Sequence, residues 1–597
     1  MALRSEPSLT AESVDLSFLL EEVQDGGDVG VMDITMGDAH LGPLVPQHRG
    51  HEAHSRAVHQ VGPWSDRPFP VVRSAPSALA VGDRKPRCWS YIADVRSWAA
   101  PMALVRRQRQ PMPTLLRGKL RLVQQLTAQD ASFLYSETPL APMSGGGLAI
   151  YDPSTAPGGK VTFKGLMSYI EERLHLAPFY RRRIARVPFD LDHPWWVEDA
   201  SFDIEFHVRH IALPEPGDWR QLCIQCARLI SRPLDLSKPL WETYVIDGLD
   251  RVKDYPPGCF GILSKVHHAA VDGASGADLA TVTQDLAADT TPPPPPETPW
   301  TGEPMPAGSQ LLAHAARNNV TRPLQATANL VRGGTIGRLA QVMRRPPESS
   351  PTQATAPSTR FNRKVSAHRV VDGVTFDLDE IRALRALAPG STVNDVILAV
   401  EGGALRAYLQ DKGELPSESL TAMCPISLRA PGETATGGNQ VGAMVVSLHT
   451  DVADARRRLT AVYTSTKSAK ELQNAIGART LTDLSQVLPA AVAGLAGRLA
   501  ATMEIRYENT PPPYNTVVTN VPGPQQPLYM AGAQMVASYG FGMVHDNMGL
   551  MNVITSYVGK LAVTATADRD MMPDPAFYAQ CLQGSFDELK ASVGATA

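Results

Sequence analysis

A mixed α/β protein of at least two packed lobes is the fold class that the sequence predicts, and three observations predict it. Between Leu126 and about Asp289, turn signals, strand-like runs and amphipathic helical patterns alternate, as they do in a mixed α/β domain. Five consecutive prolines, Pro292 to Pro296, open a Pro/Thr/Glu-rich stretch that neither a helix nor a sheet interior accepts, so the chain divides there. With 597 residues, 43% of them hydrophobic, the chain can bury a large core on each side of that division.

Residues 1–120 are charged and proline-punctuated, lack sustained periodicity, and are expected to form a disordered N-terminal extension. Met112 precedes the first compact pattern and is a candidate natural start. The cluster His40, His48, His51, His54 and His59 has no Cys or carboxylate at zinc-site spacing, so no metal is assigned to it. The first folded unit spans 121–290. Its pattern gives a helix over Phe163 to Leu176 with Leu166, Ile170 and Leu174 apolar, then a strand over Phe202 to Val208. A helix over Trp219 to Ile230 follows, and then strands over Trp241 to Ile246 and Phe260 to Val266. Residues 291–358 read as a linker with a helical crossover, Gln310 to Met343. The second unit spans 359–597. Within it Thr392 to Leu409 places Val393, Val396, Ile397, Val400, Ala404 and Tyr408 on one stripe, with Asn394 and Asp395 in the first turn, where a carboxylate suits the helix dipole.

A net charge of −4 gives no basic field for nucleic acid, and Arg181-Arg182-Arg183 reads as a solvated face. The six cysteines are too sparse for a disulfide framework, which fits a reducing cytoplasm. Cys223 and Cys226 form a CxxC inside a helical run, without the second pair a zinc site requires, so buried helix positions are expected. No run approaches the roughly 18 apolar residues of a spanning helix, and the N-terminus shows no basic-then-apolar signal pattern. Leu484 to Met503 is the best surface-seeking stretch, with a core helix as the plainer reading.

The decisive feature is His267-His268-Ala269-Ala270-Val271-Asp272-Gly273, which joins a proton acceptor, a carboxylate and a glycine at the end of the Phe260 to Val266 strand. Side chains on a strand alternate faces, so of two adjacent histidines one faces a given cleft and the other supports it. The combination points to acyl transfer, in which an attacking group must give up its proton. A neutral imidazole, with a reference pKa of about 6.5, suits that task near neutrality. Asp272 admits two roles, orienting partner of the base or cap and ion-pair partner for the following helix. Gly273 permits a close backbone approach that a Cβ would forbid. The oxyanion donor is open between the Asn394 amide, which also reads as an N-cap, and backbone N–H groups after His268. Pro239, Leu240 and Trp241 carry no ionisable group and line either the substrate channel or the core.

Together with Pro239-Leu240-Trp241-Glu242, Thr392-Val393-Asn394-Asp395-Val396, Pro425-Ile426-Ser427-Leu428-Arg429, Gly438-Asn439-Gln440 and Asn520-Val521-Pro522-Gly523-Pro524, the motif resembles the bacterial wax ester synthase/acyl-CoA:diacylglycerol acyltransferase family. That family is a branch of the CoA-dependent acyltransferases carrying HHxxxDG, and the match runs from about Leu126 to the C-terminus. HHxxxDG alone is shared with condensation domains; the downstream motifs narrow it. Arg360 stands before Phe361-Asn362 where the family leads one to expect proline, and the leader before Leu126 has no counterpart in it.

The resemblance implies two chloramphenicol-acetyltransferase-like lobes, each a mixed sheet flanked by helices, meeting at a tunnel that takes acyl-CoA from one side and the alcohol from the other. It implies His268 as general base, with His267 beside it as a structural or catalytic support, and Asp272 paired with an arginine, for which Arg429 is the nominee. It implies long-chain acyl-CoA as substrate rather than cofactor and diacylglycerol or a fatty alcohol as acceptor; such hydrophobic substrates, with no anchor in view, imply reversible attachment to a membrane or lipid-droplet surface. Adjacent histidines diverge and no third ligand is placed, so no metal is expected at His267-His268. A condensation-type acyltransferase using a carrier-protein thioester or a small polar acceptor, and an inactive lipid- or CoA-binding protein, are the alternatives.

Overall fold

Two six-stranded mixed sheets organise the protein, seen in a computed structural model that describes residues 124–252, 254–270, 282–289, 291–332, 356–427, 441–476 and 511–594. The first lobe begins with β1 (Gln124–Gln125), α1 (Ala128–Ser136), β2 (Ser144–Asp152) and α2 (Phe163–Glu171). It continues through β3 (Arg182–Ala185), β4 (Trp195–Glu198), α3 (Ile204–His207) and β5 (Val208–Ala212). Helix α4 (Trp219–Ile230) and strands β6 (Trp241–Asp247) and β7 (Phe260–His267) then lead to the histidine pair. The expected crossover contains α5 (Gly308–Arg332), whose Leu311 and Ala315 pack with Val187 of the first lobe. The second lobe opens with β8 (Arg369–Asp377), α6 (Leu378–Leu384), α7 (Val393–Asp411), β9 (Thr421–Ser427), β10 (Val441–Ser447) and α8 (Ala455–Ile476). It closes with β11 (Thr516–Val521), β12 (Tyr529–Met530), β13 (Ala533–Phe541), β14 (Leu550–Tyr557), β15 (Lys560–Asp568) and α9 (Pro575–Gly594).

Local chemistry sets the helix starts. Thr127, Asp218 and Thr392 cap α1, α4 and α7 by accepting the N–H of Asp130, Gln221 and Asp395. At α7 the cap is reciprocal, because the Asp395 carboxylate accepts the Thr392 N–H at 2.7 Å. In α4 the buried face is Leu222, Cys223, Cys226, Ala227, Leu229 and Ile230, so both cysteines of the CxxC are core residues. Two expected elements differ. The run Phe202 to Val208 turns as the short helix α3 before β5 begins, because Asp203 caps it and His207 is pulled inward to stack on Trp241 and bond its carbonyl at 2.7 Å. The helix begun at Phe163 stops at Glu171, where Arg173 folds over the Tyr169 ring and pairs with Asp285 at 3.1 Å.

The first sheet runs β12-β13-β2-β7-β6-β5 and the second β10-β9-β11-β14-β15-β8. Each mixes parallel and antiparallel pairs: β5 is parallel to β6, and β11 is parallel to β9 and β14. One hairpin crosses the expected division at 359. Strand β13 pairs antiparallel with β2, Phe541 opposite Gly146, so residues 529–541 complete the first lobe's sheet. Its Tyr539 and Phe541 join the core of Leu148, Leu222 and Tyr244, which covers apolar surface that β2 would otherwise leave open. The Trp219 indole N–H donates to Asp372 at 2.8 Å across the same seam.

Helix α7 lies in the second core and buries Glu401 completely. Its Oε2 accepts from Asn552 and from the Tyr578 hydroxyl, while Oε1 has no hydrogen-bond partner, and burial pushes the carboxyl up to about 8. Between the unfolded value near 4.3 and that folded value the native state holds a proton that the unfolded chain has released. Stability therefore declines as pH rises across this window. Urea unfolding at pH 5, 6, 7 and 8 should show that decline in the native protein and a flatter profile for Glu401→Gln, which stays neutral.

Candidate active site

Strand β7 is interior to the first sheet, paired on one side with β2 and on the other with β6, and the chain turns sharply at its end through His268-Ala269-Ala270. His267 is fully buried opposite Ser144, and its N–H donates to the Leu240 carbonyl at 3.0 Å. The ring Nδ1 accepts the Ala269 N–H at 3.0 Å, which assigns the ring proton to Nε2. Nε2 lies 3.5 Å from Glu137 Oε2, an electrostatic contact rather than a formed hydrogen bond. His267 is thus held at the foot of the turn by its backbone N–H and by its ring Nδ1.

His268 is half-buried, and its ring stacks on Phe133 with centroids 4.4 Å apart and planes 27° from parallel. Its N–H donates to the Met143 carbonyl at 2.8 Å. Burial, and then the neighbouring His267, push the imidazole down to about 4, so at neutral pH it carries a lone pair and no charge. Ring Nδ1 is buried without a hydrogen-bond partner among the described residues. Asp272 and Gly273 lie outside the described residues, as does Arg429, so the expected Asp272–Arg429 pair does as well.

In the second lobe the two first-turn residues of α7 part ways. Asp395 is buried, its Oδ2 accepting from the Thr392 N–H and hydroxyl and its Oδ1 from Thr466 at 2.6 Å. That carboxylate is wholly engaged in holding α7 and α8. Asn394 is exposed, and its carbonyl oxygen accepts from the side-chain amide of Asn520, at the end of β11. Thr392, not Asn394, is the N-cap, so the capping role does not explain Asn394. The two asparagines come from two of the five sequence motifs, brought together over 126 residues.

Of the two readings of Pro239-Leu240-Trp241, channel wall or core, the described contacts of all three are those of packed interior residues. Leu240 is fully buried with Leu126, Leu134, Tyr135 and Ala269 beneath the histidine turn. Trp241 is buried too, donating to the Tyr180 carbonyl at 2.9 Å and stacking on His207 at 4.5 Å. Pro239 is buried beside them. This motif shapes the floor of the turn by packing, as expected of apolar groups that follow a loop into an interior strand.

Sequence reasoning missed three residues that surround the pair: Phe133, Glu137 and Met143. Phe133 stacks on the proposed base, Glu137 faces His267, and Met143 accepts from His268. Glu137 also accepts the Met143 N–H at 3.2 Å, so these contacts form one connected set. Nothing local announces them, since each partner lies more than 120 residues away. Among the described residues no group of three or more His, Cys, Asp or Glu is placed to hold a metal ion.

The family described as the wax ester synthase/diacylglycerol acyltransferase catalytic domain matches residues 126–397, and the family's C-terminal domain matches residues 437–590. A Mycobacterium tuberculosis H37Rv chain with the provisional name diacylglycerol O-acyltransferase is 32% identical over 454 residues, 76% of this chain and 87% of that one. A second such chain from the same species, strain CDC 1551, is 34% identical over 473 residues, 78% of this chain and 99% of that one. Among solved structures, the wax ester synthase/diacylglycerol acyltransferase of Marinobacter aquaeolei VT8 superposes with a TM-score of 0.55 at 27% identity, covering 79% of this chain and 100% of that one. With two lobes of mixed sheet, a neutral histidine at the end of an interior strand, and matches spanning both lobes, the chain belongs to the wax ester synthase/diacylglycerol acyltransferase family.

Proposed function

We propose that this protein transfers a long-chain fatty acyl group from acyl-CoA to the hydroxyl of diacylglycerol, and of a long-chain alcohol, with His268 as general base. The observation that carries the reading is the unprotonated, half-buried His268 ring at the end of β7. The relatives' names point to the same acceptor class.

The hydroxyl oxygen attacks the thioester carbon while its proton passes to His268, and the carbonyl π pair moves onto oxygen. The tetrahedral intermediate collapses by breaking the C–S bond, and the imidazolium returns its proton to the CoA thiolate. A thiol of pKa about 8.5 leaves readily, so no acyl-enzyme is required. A base held near 4 is always ready at neutrality yet holds a proton weakly. The negative charge growing on the adjacent oxyanion offsets that weakness, which couples proton transfer to attack. Asn394, its carbonyl engaged by Asn520, has an amide N–H pair to offer the oxyanion. Asp272 pairs with Arg429 in this reading and shapes the turn. The substrates meet in a passage between the lobes, and the acceptor arrives from a membrane or lipid-droplet surface. Among the described residues no helix is long and apolar enough to cross a membrane. The reaction as written needs no cofactor beyond its substrates.

Purified protein given long-chain acyl-CoA with diacylglycerol or a fatty alcohol should yield triacylglycerol or wax ester and one CoA per ester. Acyl-CoA binding without product from either alcohol would instead leave a binding protein. His268→Ala should lower kcat by roughly 100- to 10,000-fold with the unfolding midpoint retained; near-native turnover would reject the assignment. Because His268 sits near 4, kcat/KM should hold level from pH 7 to about 5 and fall only below that. An acid limb centred near the free-histidine value would contradict the burial argument.

A further inference from the structure

We propose that residues 137–143 are a strap through which the second lobe sets the position of His268, with Arg369 as the positioning residue at its far end. The inference rests on the reading of His268 as the base.

The strap joins α1 to β2 and is closed on itself. Thr138 and Ala141 exchange backbone hydrogen bonds at 3.3 and 3.0 Å, and the Thr138 hydroxyl accepts the Ala141 N–H at 3.0 Å. At its near end Met143 accepts from the His268 N–H, and Glu137 accepts from Met143 while facing His267. Its apolar side chains reach into the other lobe. The side chains of Ala141 and Met143 are members of the second lobe's core cluster, alongside Phe361, Val365, Val544 and Met548, although they precede β2 in the chain. Phe133, stacked on His268, packs against that same cluster.

Arg369 supplies the directed contact. It opens β8 opposite Asp568, the last residue of β15, and both side chains are buried. Its two terminal nitrogens are divided between the lobes. Nη1 stays at home, donating to the Ser366 carbonyl at 2.5 Å, to the His368 carbonyl at 3.2 Å and to Asp568 at 3.4 Å. Nη2 crosses to the Leu140 carbonyl at the tip of the strap. Asp568 is fixed in turn, accepting the Ser366 N–H at 2.7 Å and hydroxyl at 2.8 Å. The planar fork of a guanidinium gives each lobe its own nitrogen in a fixed geometry, whereas a lysine has a single nitrogen to divide between them. Hydrogen bonds linking Asp568 through Arg369 to Leu140, and His268 to Met143, are thus joined by the three peptide links of the strap between Leu140 and Met143. Acyl transfer is sensitive to misplacement of a reacting group by about 1 Å, so a slack strap costs rate before it costs binding.

The test is a kinetic cycle on the full chain with Arg369→Lys, Glu137→Gln and their double variant, with His268→Ala as reference. Single-turnover ester formation, KM for acyl-CoA and the unfolding midpoint are measured for each. Arg369→Lys keeps charge against Asp568 and should slow ester formation about tenfold or more, with KM for acyl-CoA within about twofold. Glu137→Gln should do the same, and the double variant should be no more than about twofold slower than the slower single, because both act through one strap. Unchanged rates in folded single variants, multiplicative losses in the double, or losses that only track the unfolding midpoint would overturn the proposal. Should Arg369→Lys not fold, Glu137→Gln and Thr138→Ala, on the half-buried strap itself, decide the question by the same rate-against-KM criterion. An active His268→Ala would overturn the base assignment instead, whereas an inactive one beside unaffected strap variants would overturn the strap alone.

Discussion

The hydrogen bond from the His268 amide to the Met143 carbonyl is the constraint on which the site depends. It lies where β7 has lost its regular ladder partners, one residue beyond the last paired position, His267 opposite Ser144. Without it the turn would leave a backbone donor unsatisfied in a half-buried position, at a cost of about 1–3 kcal/mol. With it, the first residue past the strand keeps a backbone partner. The acceptor also packs into the second lobe's core, so the bond fixes the turn against both halves of the molecule.

Desolvation does two opposite-looking things in this protein and both leave a neutral group. It lowers the His268 imidazole to about 4 and raises the Glu401 carboxyl to about 8, because in each case water stabilised the charged form. The difference lies in the surroundings. Glu401 is enclosed with Asn552 and Tyr578 in the core, whereas His268 is partly open and stacks on the aromatic face of Phe133. Glu137 sits against the neighbouring ring, His267, and among the described residues no ion pair reaches His268. This arrangement keeps the lone pair free at the expense of basicity.

The parts of this picture that are local were legible in the sequence. Phe260 to Val266 reads as a strand from its composition, Thr392 to Leu409 as a helix from its stripe, and the Trp219 helix with its buried cysteines from both. The histidine pair falls at the strand end where the pattern put it. What escaped is non-local. Strand β13 joins β2 across some 380 residues, and nothing in Ala533 to Phe541 distinguishes a partner in one sheet from a partner in the other. Glu137 and Phe133 reach their histidines only through the turn of the strap. Leu240 and Trp241 are apolar beside the motif, and an apolar residue fits a channel wall and a core equally well until its neighbours are known. Phe202 to Val208 alternates like a strand, yet the pull of His207 onto Trp241 outweighs that weak pattern.

Rapid-quench analysis of a single turnover, with enzyme in excess over acyl-CoA and saturating alcohol, tests base-assisted direct transfer most directly. CoA and ester should appear together with one rate constant, slowed in D₂O because a proton is in flight as the oxygen attacks. A burst of CoA ahead of ester, or identical rates in H₂O and D₂O, would contradict the account.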